Sequence, residues 1–143
     1  MLQVGRNLLA VIEQHGVRAY PYEGCGLLLG RAGEGLNSVT AVRPLANFWP
    51  DEEEKRIRFR IAEDDWRDVE IEAMLDGLDI VGVFHSHPDH PPLASARDLA
   101  WASWPGYSYL ITKIAGGIPD DSRSWQLLRD RSGFIEEAID LLD

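Results

Sequence analysis

The stretch "FHSHPDHPPLASARD", residues 84–98, carries three of the chain's four histidines within six positions, just ahead of a serine and an aspartate. Its reading decides the fold. DIVGVFHSH (79–87) is compact and apolar until its histidines, as a buried strand is, and SARDLAWASW (95–104) opens on Ser95, a good N-cap for a helix. Residues i and i+2 of a strand face the same side, so His85 and His87 point one way, roughly 7 Å apart at Cα. Two ring nitrogens at that separation can converge on one ion at about 2.0–2.1 Å. Pro88 then prevents the strand from continuing as an interior ladder member. Asp98 falls in the first turn of the helix, three residues after Ser95 and on roughly the same side. Two ligands from a strand and one from a helix leave a fourth position for water, the arrangement of a catalytic and not a closed structural zinc site.

Rival metal motifs fail on these residues. His87-Pro88-Asp89 matches half of a non-haem iron triad, which needs a distal histidine, and none follows His90. A TIM-barrel hydrolase needs about 250 residues. A zinc deaminase needs PCxxC, and the chain has one cysteine, Cys25. His90 lies in a proline-flanked loop with no defined facing and reads as a pocket-rim residue or a bystander.

The 143 residues suit one domain, 1–143, with a globular composition of 45% hydrophobic and 27% charged residues and no repeat. A net charge of −10 argues against a basic grip on nucleic acid. No apolar run is long enough to span a bilayer, and the N-terminus lacks the pattern of a signal peptide. With a single cysteine there is no disulfide framework, so a soluble cytoplasmic protein is expected. Monomer and homodimer both remain open.

Upstream, Val4, Leu8, Val11 and Ile12 recur at helical spacing, with Gly16 placed to end the helix. GCGLLLGR (24–31) reads as a buried strand, and SVTAVRPLAN (38–47) and KRIRFRIA (55–62) as further strands. WPDEEE between them is an acidic loop. Residues 64–75 read as a helix whose apolar face is Trp66, Val69, Ile71 and Met74. YSYLITKIA and SWQLLRD are strands, and the tail GFIEEAIDLLD is either a last strand after the Asp-Arg-Ser-Gly turn, the preferred reading, or a terminal helix. The alternation predicts an α/β fold, a mixed sheet flanked by helices.

His85-Ser86-His87, seven intervening residues and Ser95-Ala96-Arg97-Asp98 together resemble the JAMM (MPN-plus) zinc metallopeptidase motif, HxHx7SxxD. "PYEGCGLLLG" supplies the family's upstream glutamate as Glu23, in the manner of the small stand-alone prokaryotic branch. "LANFWP" and "RIRFRIAEDDW" resemble the middle of those proteins, so the likeness runs from about Tyr20 to Leu110. It implies an α-β-α architecture related to the cytidine-deaminase-like folds. It implies one zinc ion held by His85, His87 and Asp98, Glu23 holding and deprotonating the water, and Ser95 hydrogen-bonding the oxyanion. Read without the motif, Glu23 is a carboxylate in the loop before a strand. The family commonly has proline before the serine; here it is Ala94. Cys25 reads as a small core residue. Trp101 and Trp104, three apart on the helix, read as core packing or as the lining of a groove.

The prokaryotic relatives imply a substrate class: ubiquitin-like sulfur-carrier proteins of the ThiS/MoaD type, cut after a C-terminal Gly-Gly. A Gly-Gly tail is thin enough to lie along a sheet edge and reach the metal through a narrow slot. The alternatives are a zinc amidohydrolase acting on a small-molecule amide, a RadC-like protein, whose motif usually reads HNHP, and a non-catalytic MPN scaffold. The carrier, the residue released and the pathway are not legible in the sequence.

Overall fold

The computed structural model describes all of residues 1–143. The elements run β1 (Leu2–Gly5), α1 (Arg6–Ala19), β2 (Cys25–Gly33), β3 (Leu36–Leu45), α2 (Glu63–Leu75), β4 (Asp79–Pro88), α3 (Ala96–Trp101), β5 (Ser108–Ala115), β6 (Ile118–Leu127), β7 (Phe134–Glu137) and β8 (Ile139–Leu142), with one 3-10 turn at Glu53–Arg56. The strands form one mixed sheet in the order β7-β6-β5-β4-β2-β3-β1-β8. β4 sits at its middle, antiparallel to β2 and parallel to β5.

The run Gly26-Leu27-Leu28-Leu29-Gly30 is apolar throughout because β2 is covered on both faces. Leu28 joins Ile12 of α1, Phe84 and Leu110 in one cluster. Leu27 and Leu29 join Val69 and Ala73 of α2, with Val83 and Tyr109, in the other. Gly26 is required by proximity, since a Cβ there would run into the Phe84 ring and the Arg43 carbonyl.

The tail is a strand, as preferred, and it serves both edges of the sheet. β7 pairs antiparallel with β6, and after Ala138 alone β8 pairs parallel with β1. The Leu2 amide donates to the Ala138 carbonyl at 2.9 Å, so the two edges meet at that residue.

Four expectations need correction. Leu2 and Val4 are buried strand residues, and α1 begins only at Arg6. Gly16 does not end α1; it is buried inside it, where a Cβ would lie 3.0 Å from Ile114 and 3.1 Å from Ser86 Cβ, so its bareness lets α1 sit close on β4 and β5. On α2 the buried residues are Val69 and Ala73, whereas Ile71 and Met74 are exposed. Residues 55–62 are not a strand: they begin in the 3-10 turn and continue as an extended segment outside the sheet. Phe59 and Ile61 still face the core. That segment is held by residues 47 and 48: the Asn47 Nδ2 donates to the Arg58 carbonyl at 2.9 Å, its Oδ1 accepts from the Arg60 amide at 3.2 Å, and the Phe48 amide donates to the Arg60 carbonyl at 2.7 Å.

Candidate metal centre

Strand alternation divides His85-Ser86-His87 between the two faces of the sheet. Ser86 turns towards α1 and its Oγ accepts from the Gly24 amide at 2.8 Å. His85 and His87 share the other face, both buried, with their Nε2 atoms 3.0 Å apart. α3 supplies the third group. Its start is fixed by a capping box, in which Ser95 Oγ accepts from the Asp98 amide at 3.1 Å and Asp98 Oδ2 accepts from the Ser95 amide at 2.8 Å. That cap aims the Asp98 carboxylate at the histidines, with Oδ1 3.1 Å from His85 Nε2 and Oδ2 3.4 Å from His87 Nε2. Each predicted ligand is in the cluster, and Ser95 borders it.

A cation suits this donor set. Two imidazole nitrogens and a carboxylate oxygen this close repel one another unless a proton or a metal ion lies among them. The 3.0 Å between nitrogens is near the separation of about 3.3 Å set by two zinc–nitrogen bonds at a tetrahedral angle. His87 is already oriented for ligation, because its Nδ1 lies 2.7 Å from the Pro91 carbonyl, an acceptor only, so Nδ1 carries a hydrogen and Nε2 is the atom presented to the cluster. Phe59 stacks on His85 with ring centroids 4.6 Å apart and fixes the plane of that ring. Burial opposes the Asp98 carboxylate, but the His85 charge, hydrogen bonds to both imidazoles and the Ser95 amide outweigh it and hold the carboxyl well below the usual range.

Glu23 comes from the loop before β2. It is 2% exposed, and its Oε1 has no hydrogen-bond partner. Burial pushes its carboxyl up to about 8, against the pull of His87. Its position is set from outside: its amide donates to the Lys55 carbonyl at 2.7 Å and its carbonyl accepts from Asn47 Nδ2 at 3.0 Å. Asn47 thereby ties the glutamate to the extended segment at Arg58 and Arg60.

A cleft of about 420 Å³ opens beside these groups, lined among others by Glu23, Trp49, Arg58, Phe59, Asp98 and Trp101. The buried side-chain polar atoms without a hydrogen bond are Glu23 Oε1, Trp49 Nε1 and Arg58 Nε, the last with Glu54 Oε1 at 3.8 Å, and all three residues line this cleft. The Arg58 and Arg60 guanidinium carbons lie 5.0 and 4.8 Å from the centroid of the Trp49 ring. Trp101 therefore lines the cleft, while Trp104 stacks on Trp66 at 4.7 Å beyond it. His90 stacks on His87 at 4.2 Å, within reach of Glu23, and so belongs to the rim of the cluster. Cys25 is fully buried and burial pushes its thiol up to about 12, which leaves it a core residue. Trp49, Arg58 and the Pro91 carbonyl were not anticipated. The first two carry no local signature, and a carbonyl has none to offer.

Residues 5–128 match the family described as prokaryotic homologs of the JAB domain. The chain belongs to that family. It is 37% identical to a desampylase of Haloferax volcanii over 81% of this chain and 80% of that one. It is 33% identical to a probable TtuB-protein conjugate cleaving protease of Thermus thermophilus over 73% of this chain and 65% of that one. The solution structure of protein DSY2949 from Desulfitobacterium hafniense superposes with a TM-score of 0.86 at 30% identity, over 100% of this chain and 94% of that one. As a prokaryotic JAB-domain protein of the JAMM type, the chain is a hydrolase. No helix in it is long and apolar enough to cross a membrane.

Proposed function

We propose that this JAB-domain protein is a zinc-dependent isopeptidase that releases ubiquitin-like proteins from conjugates, cutting after a C-terminal Gly-Gly of a sulfur-carrier-type modifier. His85, His87 and Asp98 would hold one zinc ion, which when bound supplies the Lewis acidity that activates water near neutral pH. With that cation in place favouring the ionised carboxylate, Glu23 would accept the water proton on its unpartnered Oε1 and deliver it to the leaving amine. Ser95 can donate its hydroxyl hydrogen to the developing oxyanion, because as a cap its Oγ is only an acceptor.

The observation that carries the reading is that every buried side-chain polar atom without a hydrogen bond belongs to a residue lining the cleft beside the histidines. Such atoms are costly in a fold and are retained where a ligand or a reaction needs them. A Gly-Gly tail offers only its main chain for recognition. The aromatic walls Trp49, Phe59 and Trp101, with the Trp49 and Arg58 donors, suit an extended main chain with exposed carbonyls. The names of the Haloferax relative, a desampylase, and of the Thermus relative, a probable TtuB-protein conjugate cleaving protease, support a protein conjugate as the substrate.

The test is intact mass. The zinc-loaded protein is mixed with a Gly-Gly-ending modifier joined through its terminus to a lysine side chain, beside Glu23→Gln. Release of the modifier ending at Gly-Gly by the wild type alone is the expected result. An intact conjugate after exhaustive incubation, with zinc bound, would contradict the reading and favour a small-molecule amide as substrate.

A further inference from the structure

The loop Pro88–Pro92 passes over the histidine cluster and delivers the Pro91 carbonyl to His87 Nδ1 at 2.7 Å. Pro88, Pro91 and Pro92 have no N–H, so only Asp89 and His90 can donate from the main chain of the loop. A loop so poor in donors cannot fix itself by backbone pairing. Inside the loop His90 Nδ1 lies 2.7 Å from the Pro88 carbonyl, and Asp89 ties the loop to the rest of the fold. Its amide donates to the Ile114 carbonyl at 2.8 Å. Its Oδ2 accepts from the Tyr20 hydroxyl at 2.6 Å, and its Oδ1 from the Gly116 amide at 2.7 Å. The residue sits at φ 60°, in the left-handed region that aspartate tolerates better than most. At the far end, Trp125 Nε1 donates to the Pro92 carbonyl at 3.1 Å. Tyr20 just beyond α1, Ile114 and Gly116 at the end of β5, and Trp125 of β6 thus hold the loop at its ends, and the carbonyl between them meets His87.

We propose that Tyr20 and Asp89 are positioning residues for the metal centre: their hydrogen bond sets the loop so that the Pro91 carbonyl locks His87 in the tautomer and ring orientation that ligation needs. The proposal rests on His87 as a zinc ligand. A partner that orients a ligating histidine through its second nitrogen commonly changes metal affinity by about 10- to 100-fold. Tyr20 and Asp89 lie one step further out, and both oxygens of Asp89 serve the same loop. The contact is at the surface, so its loss leaves the two core clusters untouched.

The test compares the wild type with Tyr20→Phe, Asp89→Gly and Asp89→Asn. Glycine removes the carboxylate without straining the positive φ, and asparagine keeps one acceptor and tolerates the same backbone. Zinc affinity is measured by chelator competition, the His87 ring by long-range proton–nitrogen correlation in the metal-free protein, and the melting temperature without metal. The expected result is a zinc Kd weakened about tenfold by Tyr20→Phe and more by Asp89→Gly. Asp89→Asn should lie closest to the wild type, and Nδ1–H exchange at His87 should quicken in the order of the affinity losses. Zinc binding and a His87 ring unchanged in Asp89→Gly would overturn the proposal alone. So would a lower melting temperature with unchanged zinc affinity, which marks a purely structural contact. If His87→Ala leaves zinc affinity intact, the assignment of the ligand and the proposal fall together.

Discussion

The two faces of the central sheet bury comparable hydrophobic clusters and are finished in opposite ways. On the α1 face, Ile12, Leu28, Phe84 and Leu110 close over one another, and the helix comes in tightly because Gly16 has no side chain. The buried polar group that β4 sends there, Ser86, is paired with the Gly24 amide. On the α2 and α3 face, Leu27, Leu29, Val69 and Val83 pack as well, but the layer stops short at a cleft. His85, His87, Asp98 and Glu23 stand beside the cleft, with three buried polar atoms left without hydrogen bonds. One strand, β4, serves both faces by alternation. The difference separates what the fold needs from what the chemistry needs, and each face can be damaged without the other.

The largest expected effect is on the open face. Asp98→Asn keeps an acceptor for the Ser95 amide but removes the charge facing two imidazoles, so hydrolysis should fall at least about a thousandfold. Steady-state assays beside thermal melts of the metal-free protein check this; because the folded state favours the ionised carboxylate, the melting temperature should fall too, and activity is compared per folded molecule. The mirror experiment is Leu28→Ala on the closed face. A fully buried leucine cut to alanine costs about 2–5 kcal/mol. Denaturant titration should record that loss, while the folded fraction keeps its kcat/KM. If Leu28→Ala lowered activity per folded molecule as far as Asp98→Asn, the separation of the faces would be wrong.

Glu23 sharpens the comparison through pH. In the metal-free protein its carboxyl is raised from 4.5 to about 8, so the folded state favours the neutral form. The stability this gives is complete below pH 4.5, where both states are protonated, and is lost as the pH rises through 8. The metal-free wild type should therefore lose stability between pH 5 and 8 relative to Glu23→Gln, by on the order of a few kcal/mol. Parallel melts across that range would record it, and identical pH profiles would count against the burial of an uncompensated glutamate. The smallest effect is at Trp49. Phenylalanine keeps the ring beneath the two arginines and removes the unpartnered N–H, so stability should hold or rise by up to about 1 kcal/mol. The KM for a conjugate should rise with kcat little changed.

Local pattern carried much of the site. Alternation in β4 put His85 and His87 together, and Ser95 as an N-cap located the helix that brings Asp98. Glu23 was different: its residue type and its place before β2 suit a solvated loop equally well, and only the family resemblance singled it out. The segment 55–62 misled for a physical reason. Its alternation is real, with Phe59 and Ile61 turned inward, but the Asn47 side chain and one main-chain bond from Phe48 stand where alternation alone implies a strand ladder. β1 was absorbed into α1 because Val4 and Leu8 satisfy a helical period as well as a strand boundary. Gly16 read as a stop because a bare position serves close packing and helix termination alike. The Pro91 carbonyl that orients His87 belongs to the main chain and was invisible to any reading of side chains.

The most direct test of the central claim, that the open face is built around a metal ion, is zinc stoichiometry by native mass spectrometry on metal-free protein titrated with zinc. One ion retained per wild-type chain, and none by His87→Ala or Asp98→Asn at the same zinc concentration, is the predicted result. A wild type that retains no zinc, or variants that retain it equally well, would contradict the account.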